Sequence, residues 1–518
     1  MPAVSAVAEV HGSIGVIGVI GAGAMGRGIA QIAAQAGMQV KLFDVQADAA
    51  ENARKAVLAQ WEKLQQKGKL TEQQFHSAKQ QLQVVTAMDA MADCEIVIEA
   101  IVERLDVKRD LFRQLEAIVS AGCILATNTS SLSVTAIAAG AAMPERVAGL
   151  HFFNPVPLMK VAEVIAGLRT RSEVVQRLVA FTHQTGHRPV ITKDTPGFIV
   201  NHAGRAYGTE ALRVLQEGVA AFPVIDAIMR EAAGFRLGPF ELLDLTGLDV
   251  SHPVMESIYQ QYYQEPRYRP SVITAQRLQG GVLGRKTGRG FYDYTDGAQT
   301  VPQADAADAI AGAQPWTGWI WISPENPEAA ASVRALLERC GANIENTPEP
   351  SADSLCLVAP LGEDVSTCVV RQKLDARRTL GIDSLFDCQG HLSLMSNPAT
   401  DTAIAQQARA LLLQSGQGVS LIQDSPGFVT QRILACVVNI GCDIVQQGIC
   451  TPDDLDRAVE LGLAYPFGPL AWGDKLGASR ILTILQNMLA YTGDPRYRPS
   501  LWLSRRAQLE LSLKHQQG

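Results

Sequence analysis

The 518-residue sequence has no Cys-x-x-Cys pair and no His/Cys cluster at metal-ligand spacing. Its nine cysteines are scattered, seven of them after residue 339, so they read as reduced thiols of a cytoplasmic protein and not as a disulfide framework or a metal site. No Lys or Arg precedes Arg27, which leaves the apolar amino-terminal stretch without the basic region of a secretion signal. Glycines interrupt that stretch, so it does not read as a membrane span either. Positive charge is not in excess: 45 Lys and Arg against 52 Asp and Glu give a formal charge of −7, which argues against a nucleic-acid or anionic-membrane surface. A charged cofactor or thioester must then be met by local groups. Apolar residues are plentiful at 47%, enough for ordinary globular cores, and the length suits about three domains.

The densest signal is Ile14 to Asp44. A short β-branched run, Ile14 to Ile20, predicts a strand buried on both faces, and it ends in Gly21-Ala22-Gly23-Ala24-Met25-Gly26. A helical pattern follows to Ala36, then a second apolar run from Gln39 to Phe43 that closes on Asp44. Gly21 permits the tight turn, Gly23 lets backbone N–H groups approach a pyrophosphate, and Gly26 lets the helix pack close to the strand. The phosphates would sit at the positive end of the helix, against Ala24 and Met25. Asp44 can accept from ribose hydroxyls and would repel a 2′-phosphate, so NAD is expected over NADP.

Beyond Asp44 a long helix is predicted over 47–67 and another over 71–81. Their basic tip, Lys63, Lys67 and Lys69, is either a contact for a nucleotide-tailed substrate or a solvated lysine face. The buried run Cys94 to Ala100 delivers Glu103 and Lys108 to the strand edge that faces the ligand crevice in open α/β sheets, as cofactor contacts or as an ordinary surface pair. A further strand, Cys123 to Thr127, brings Asn128-Thr129-Ser130-Ser131 to the same edge, where Ser130 either meets substrate or caps the helix starting near Ser133.

His151-Phe152-Phe153-Asn154-Pro155 follows the apolar run Val147 to Leu150, and Glu163 lies twelve residues after the histidine in a second apolar strand. Histidine titrates near neutrality, and a carboxylate holding its other ring nitrogen fixes the tautomer and stabilises the imidazolium. That pairing suits alcohol oxidation, where the hydroxyl proton leaves as hydride departs from the same carbon. Asp194 to Asn201 then opens a mostly helical region that extends to about Phe291. Asn201 in its first turns either reaches back toward the cleft or packs the helix.

These motifs, together with Leu237-Gly238-Pro239-Phe240-Glu241 and Arg285 to Tyr292, closely resemble the L-3-hydroxyacyl-CoA dehydrogenases. The resemblance implies His151 as general base, Glu163 as its orienting partner, and Ser130 and Asn201 as substrate-positioning groups. It implies NAD contacts from Asp44, Glu103, Lys108, Asn154 and Lys286, and places Lys67 near the CoA-contacting helix. Where some relatives have arginine after the asparagine, this chain has His202.

An internal repeat follows. Asp424-Ser425-Pro426-Gly427-Phe428-Val429 repeats 194–199 at an offset of 230, as do Gly448 with Gly218, Asp456 with Asp226, and Gly468-Pro469 with Gly238-Pro239; Arg496 to Ser500 repeats Arg267 to Ser271 at 229. Asn201 becomes Gln431, and His391 has neither the Phe-Phe-Asn-Pro nor a Glu twelve positions on, so one active site per chain is expected. The strand-like runs Trp319 to Ile322 and Leu355 to Ala359 lack a glycine-rich turn.

The expected architecture is an α/β Rossmann-like NAD domain over 1–193, a helical domain over 194–296, a linker and degenerate α/β segment over 297–421, and a second helical copy over 422–518. The copies could form a pseudo-dimer within one chain, or the chain a homo-oligomer. The tandem layout resembles the long family members of bacterial phenylacetate degradation, which implies a 3-hydroxyacyl-CoA substrate of the 3-hydroxyadipyl type, with 3-hydroxybutyryl-CoA as the alternative. The rival readings are a non-catalytic NAD-binding structural protein and an NAD enzyme acting on free hydroxy acids.

Overall fold

The computed structural model describes residues 13–301 and 313–516, so residues 302–312 of the segment expected to begin with a linker lie outside the described residues. The chain divides into two compact units that do not follow chain order: Met1–His202 with Gln447–Leu463, and Ala203–Gln446 with Ala464–Gly518.

In the first unit, eight strands form one sheet: β1 (Val16–Ile20), β2 (Gln39–Phe43), β3 (Leu82–Val84), β4 (Ile96–Glu99), β5 (Ile124–Thr127), β6 (Val147–Phe152), β7 (Val161–Ala166) and β8 (Arg188–Lys193). Their order is β3-β2-β1-β4-β5-β6-β7-β8. Every neighbouring pair is parallel except β6 and β7, which run antiparallel. The central strands are apolar on both faces because both are covered: Ile96 and Ile98 pack into one buried cluster with Ile29 and Val57, while Val97 packs into another with Phe112 and Leu115. The expected helical excursion is a pair, Ala49–Gln66 and Glu72–Gln81, the second started by a reciprocal Thr71–Gln74 cap. Trp61, fully buried, and Phe75 anchor that pair to the first core.

The second unit holds helices Arg205–Gln216, Phe222–Glu231, Pro239–Thr246, Leu248–Gln261 and Val272–Gln279, then a sheet, then Val429–Gln446, Pro469–Leu476, Ala478–Thr492 and Leu501–Gln508. Val429–Gln446 is buried along nearly its whole length, its polar Gln431, Arg432 and Asn439 included, and each of these is hydrogen-bonded. Among the described residues no helix is long and apolar enough to cross a membrane.

A repeat confined to helices does not describe the second half. Its sheet comprises β9 (Trp319–Ile322), β10 (Asn343–Glu345), β11 (Leu355–Val358), β12 (Thr379–Ile382), β13 (Leu392–Met395) and β14 (Val419–Ile422), in the order β10-β9-β11-β12-β13-β14. As in the first sheet, one antiparallel pair, β12 with β13, precedes a parallel last strand. Glu163 faces Val190 across β7 and β8, and Ser393 faces Ser420 across β13 and β14, both residues shifted by 230. Asp194 receives the Val134 N–H at 2.9 Å, and Asp424 receives the Val365 N–H at 2.8 Å. The duplication therefore includes a sheet. It is hard to see in the sequence because these strands span only three or four residues and the turn after β9, Ser323 to Pro327, has two prolines and no glycine.

Each sheet is completed by a segment from the opposite half of the chain. The Lys193 N–H, at the end of β8, donates to the Ile449 carbonyl at 3.0 Å, and helix Pro452–Leu463 packs against β7 and β8. In the other unit the Gln423 N–H donates to the Val219 carbonyl at 2.8 Å. Glu231, on the matching helix, pairs with His391 at 2.7 Å.

Candidate active site

The glycine turn has the geometry its residue types require. Gly21 has φ +100°, and a Cβ there would lie 2.4 Å from the Ala100 carbonyl oxygen; one on Gly26 would lie 1.8 Å from the Gly21 oxygen. At Gly23 a Cβ would meet nothing within 4 Å, so this backbone borders open space at the start of helix Ala24–Gln35. Ala24 and Met25 form the first turn of that helix. Asp44 leaves the end of β2 and ties the turn down, accepting the Ala22 N–H at 2.7 Å and the Gln46 N–H at 2.8 Å. Tight at the two outer glycines and open at the middle one, the turn fits a dinucleotide pyrophosphate.

Next to it a buried charge network holds the Asn128–Ser131 loop. Glu99, the last residue of β4, is fully buried; its carboxylate accepts from Lys108 Nζ at 2.5 Å, Thr127 Oγ1 at 2.8 Å and the Ile101 N–H at 2.8 Å. Lys108, 1% exposed, also reaches Glu103 at 3.2 Å. Glu103 Oε1 in turn accepts from Thr129 Oγ1 at 2.6 Å and from the N–H groups of Ser130 at 2.9 Å and Ser131 at 3.0 Å. Burial works against the Glu103 charge, but Lys108 and these loop donors outweigh it and hold its carboxyl below the usual range. Glu103 and Lys108 are joined, but with Lys108 buried and shared with Glu99 instead of forming an ordinary surface pair, and through Glu103 the Ser130 N–H is held. Ser130 does not cap the following helix; Ser133 does, accepting the Ala136 N–H at 3.1 Å. Glu99 escapes a sequence reading because an acid inside a buried apolar strand gives no sign of the lysine nine positions on.

His151 and Glu163 face each other across the antiparallel pair β6 and β7, so their side chains emerge on one face. Nδ1 of His151 lies 2.6 Å from Glu163 Oε2. A ring nitrogen beside a carboxylate is the one that carries a hydrogen, so Nε2 is the nitrogen left to exchange a proton with a substrate. The other oxygen, Oε1, accepts the N–H groups of Ile199 and Val200, both at 2.8 Å. Glu163 is wholly buried and His151 is 5% exposed. Asn128 Oδ1 accepts the Phe152 N–H at 2.9 Å and so links the loop to the strand bearing the histidine.

The remaining expected residues are placed as follows. Asn201 follows Val200 in the short helix Val200–Ala203, next to the donors that hold Glu163. Asn154 is exposed, just past β6, in a cis peptide bond to Pro155. Lys67 caps the exposed end of helix Ala49–Gln66. Lys286 belongs to the second unit, where it pairs with Asp249 at 2.6 Å. No group of three or more potential metal ligands occurs among the described residues.

A neutral imidazole backed by a buried carboxylate is a general base for a hydroxyl proton. The profile of the 3-hydroxyacyl-CoA dehydrogenase NAD-binding domain matches residues 16–195, and that of the 3-hydroxyacyl-CoA dehydrogenase C-terminal domain matches twice, at 197–294 and 427–518. The chain belongs to the 3-hydroxyacyl-CoA dehydrogenase family. Members of this family are NAD-dependent oxidoreductases, and this chain is one of them. It is 39% identical over 495 residues, 95% of its length and 98% of the relative's, to a 3-hydroxyadipyl-CoA dehydrogenase of Escherichia coli K12. A solved structure described as 3-hydroxybutyryl-CoA dehydrogenase from Escherichia coli K12 matches 96% of this chain and 99% of its own, with a TM-score of 0.84 and 38% identity. The mitochondrial hydroxyacyl-coenzyme A dehydrogenase of Sus scrofa is 40% identical over 283 residues, covering 53% of this chain and 90% of that relative.

Proposed function

We propose that this dehydrogenase oxidises a (S)-3-hydroxyacyl-CoA to the 3-oxoacyl-CoA at a single cleft in its first unit, and that its substrate is of the ω-carboxylated, 3-hydroxyadipyl type. The observation behind the chemistry is the 2.6 Å His151–Glu163 contact with Glu163 held from behind by two backbone N–H groups. His151 Nε2 takes the C3 hydroxyl proton, and Glu163 stabilises the imidazolium that results. Bound NAD supplies the hydride acceptor. Gly21, Gly23, Ala24, Met25 and Gly26 would receive its pyrophosphate and Asp44 its ribose hydroxyls. Asn154 completes the cofactor contacts made from this unit, with Glu103 and Lys108 acting beside it. Ser130 and Asn201 orient the thioester, and Lys67 meets its CoA portion. His151→Gln should lower turnover about 10³-fold or more while NAD affinity stays nearly unchanged; turnover within about tenfold of the parent rules out this base.

The substrate assignment rests on the near full-length likeness to the Escherichia coli 3-hydroxyadipyl-CoA dehydrogenase. 3-Hydroxybutyryl-CoA is the second reading, favoured by the description of the matching Escherichia coli structure. NADH formation from 3-hydroxybutyryl-, 3-hydroxyhexanoyl- and 3-hydroxyadipyl-CoA decides between them. The corresponding free hydroxy acids should give little or none.

The division of labour in the chain is an NAD domain over 1–193, a helical domain over 194–296, a linker and degenerate α/β segment over 297–421, and a second helical copy over 422–518 that acts as a built-in partner of the first. The enzyme works in the cytoplasm, without nucleic-acid or membrane partners.

A further inference from the structure

The segment that the second half of the chain lends to the first unit meets the catalytic pair from behind. Three observations locate it. The Ile449 carbonyl accepts the Lys193 N–H at 3.0 Å, extending the sheet edge next to the strand that bears Glu163. Further along the segment, helix Pro452–Leu463 packs against both β7, which bears Glu163, and β8. At the other end of helix Pro452–Leu463, Gly462 sits against Val200 and Val161: a Cβ there would lie 3.0 and 3.1 Å from the two Val200 methyls and 3.6 Å from a Val161 methyl.

Those two valines are not incidental. Val200 donates one of the two backbone N–H groups that hold Glu163 Oε1, and Val161 lies two residues before Glu163 on β7, on the same face. Both are buried, at 1% and 0% exposure, so neither can yield toward solvent. A side chain at 462 presses on the methyls of Val200, the residue whose N–H helps fix the Glu163 carboxylate, and a shift of that residue is passed to the carboxylate and its imidazole. The matching position on the helix of the first half, 230 residues earlier, is Ala232, so the missing methyl is particular to the helix that meets the active pair.

We propose that Gly462 is a positioning residue for the His151–Glu163 pair, so that the second half of the chain, although it has lost its own site, sets the geometry of the working one. This rests on His151 and Glu163 being the catalytic pair. It gives the second copy a task in turnover beyond contributing bulk, and it makes residues 447–463 part of the catalytic unit.

The test is steady-state kinetics on full-length Gly462→Val, with the pH profile of kcat/KM and a thermal melt. A displacement of about 1 Å far from the chemistry can cost about 10²-fold. We expect kcat to fall about 10- to 100-fold with KM for NAD within about twofold of the parent. Loosening the N–H groups on Glu163 leaves more negative charge facing the imidazole, so the acid limb of the profile should move to higher pH. Adding Val200→Ala, which clears the space and keeps the N–H, should restore at least about tenfold of the lost kcat. A folded Gly462→Val enzyme with parental kcat and an unmoved limb overturns the proposal, and so does a double variant no better than the single one. If valine at 462 prevents folding, Gly462→Ala reads the same limb, and an unmoved limb there is equally fatal. His151→Gln run alongside separates the two levels. If it abolishes turnover while Gly462→Val does nothing, only the positioning role fails; if His151→Gln keeps turnover, the catalytic reading itself fails.

Discussion

Gln431 donates from Nε2 to Asp383 Oδ1 at 3.0 Å, and these two residues stand where Asn201 and His151 stand in the first half. The equivalence follows from register. Ser393 lies 230 residues after Glu163, and the backbone N–H of Asp383 donates to the Ser393 carbonyl at 3.1 Å. The degenerate site is sewn shut: Gln431 also donates to the Pro360 carbonyl at 3.1 Å and accepts the Gly362 N–H at 2.8 Å, while Thr430 donates to the other Asp383 oxygen. With Ser393 in place of the glutamate, no acid–imidazole pair is left there. Titration calorimetry should therefore give one NAD per chain, and Asp383→His should not raise kcat. A stoichiometry of two contradicts this.

Glu163 is expected to matter almost as much as the base it serves. In Glu163→Gln the amide cannot accept as strongly from the Ile199 and Val200 N–H groups, and it no longer stabilises the imidazolium. Turnover should drop about 10²- to 10⁴-fold with substrate KM little changed, as for other buried acids that orient a catalytic histidine. A loss confined to KM would assign Glu163 to binding instead.

Lys108 lies between two carboxylates with 1% of its side chain exposed. Removing it as Lys108→Met leaves Glu99 charged and unpaired in the interior, a change that costs about 3–5 kcal/mol. The double variant Glu99→Gln with Lys108→Met removes both charges and should be the more stable of the two in urea unfolding. The order is reversed if Lys108 serves the cofactor alone and the pair is not a structural unit.

Asp226 supplies a pH dependence with a definite sign. It is fully buried and takes the N–H groups of Phe240 and Glu241 and the Tyr292 hydroxyl, yet burial pushes its carboxyl up to about 7 from the ordinary 3.8. Between those two values the folded protein holds a proton that the unfolded chain has lost, so this group's contribution to stability falls as pH rises from about 4 to about 7 and is flat above. Asp226→Asn removes that slope. The melting temperature of the parent minus that of the variant should decrease over this window; a flat difference means the carboxyl titrates normally.

The first unit was largely legible. Strand, glycine turn, helix, strand and Asp44 follow one another at spacings that only one local geometry satisfies, and His151 and Glu163 sit twelve apart because a short antiparallel return places them opposite. The loop network was half legible: Glu103 and Lys108 stand out at the strand edge, but Glu99 hides in an apolar strand. His391 is the histidine of the second sheet region, without the residues that follow His151. It proves to tie Glu231 and Ser420, at 2.7 and 2.8 Å, because the copies are offset by 232 residues on β12 and by 230 on β13, which puts Asp383 in the position of the base. The crossing of helices between halves left no trace in the sequence. Phe222–Glu231 and Pro452–Leu463 have the same amphipathic pattern, and nothing local states which sheet each will cover.

The Lys193–Ile449 bond joins residues that two separate chains could bring together only by collision. Here a covalent tether supplies the far strap at a fixed effective concentration. Specific activity should therefore hold steady on dilution to where a dissociable two-chain enzyme would come apart, and mutational decay in one half is tolerated as long as its strap still reaches across.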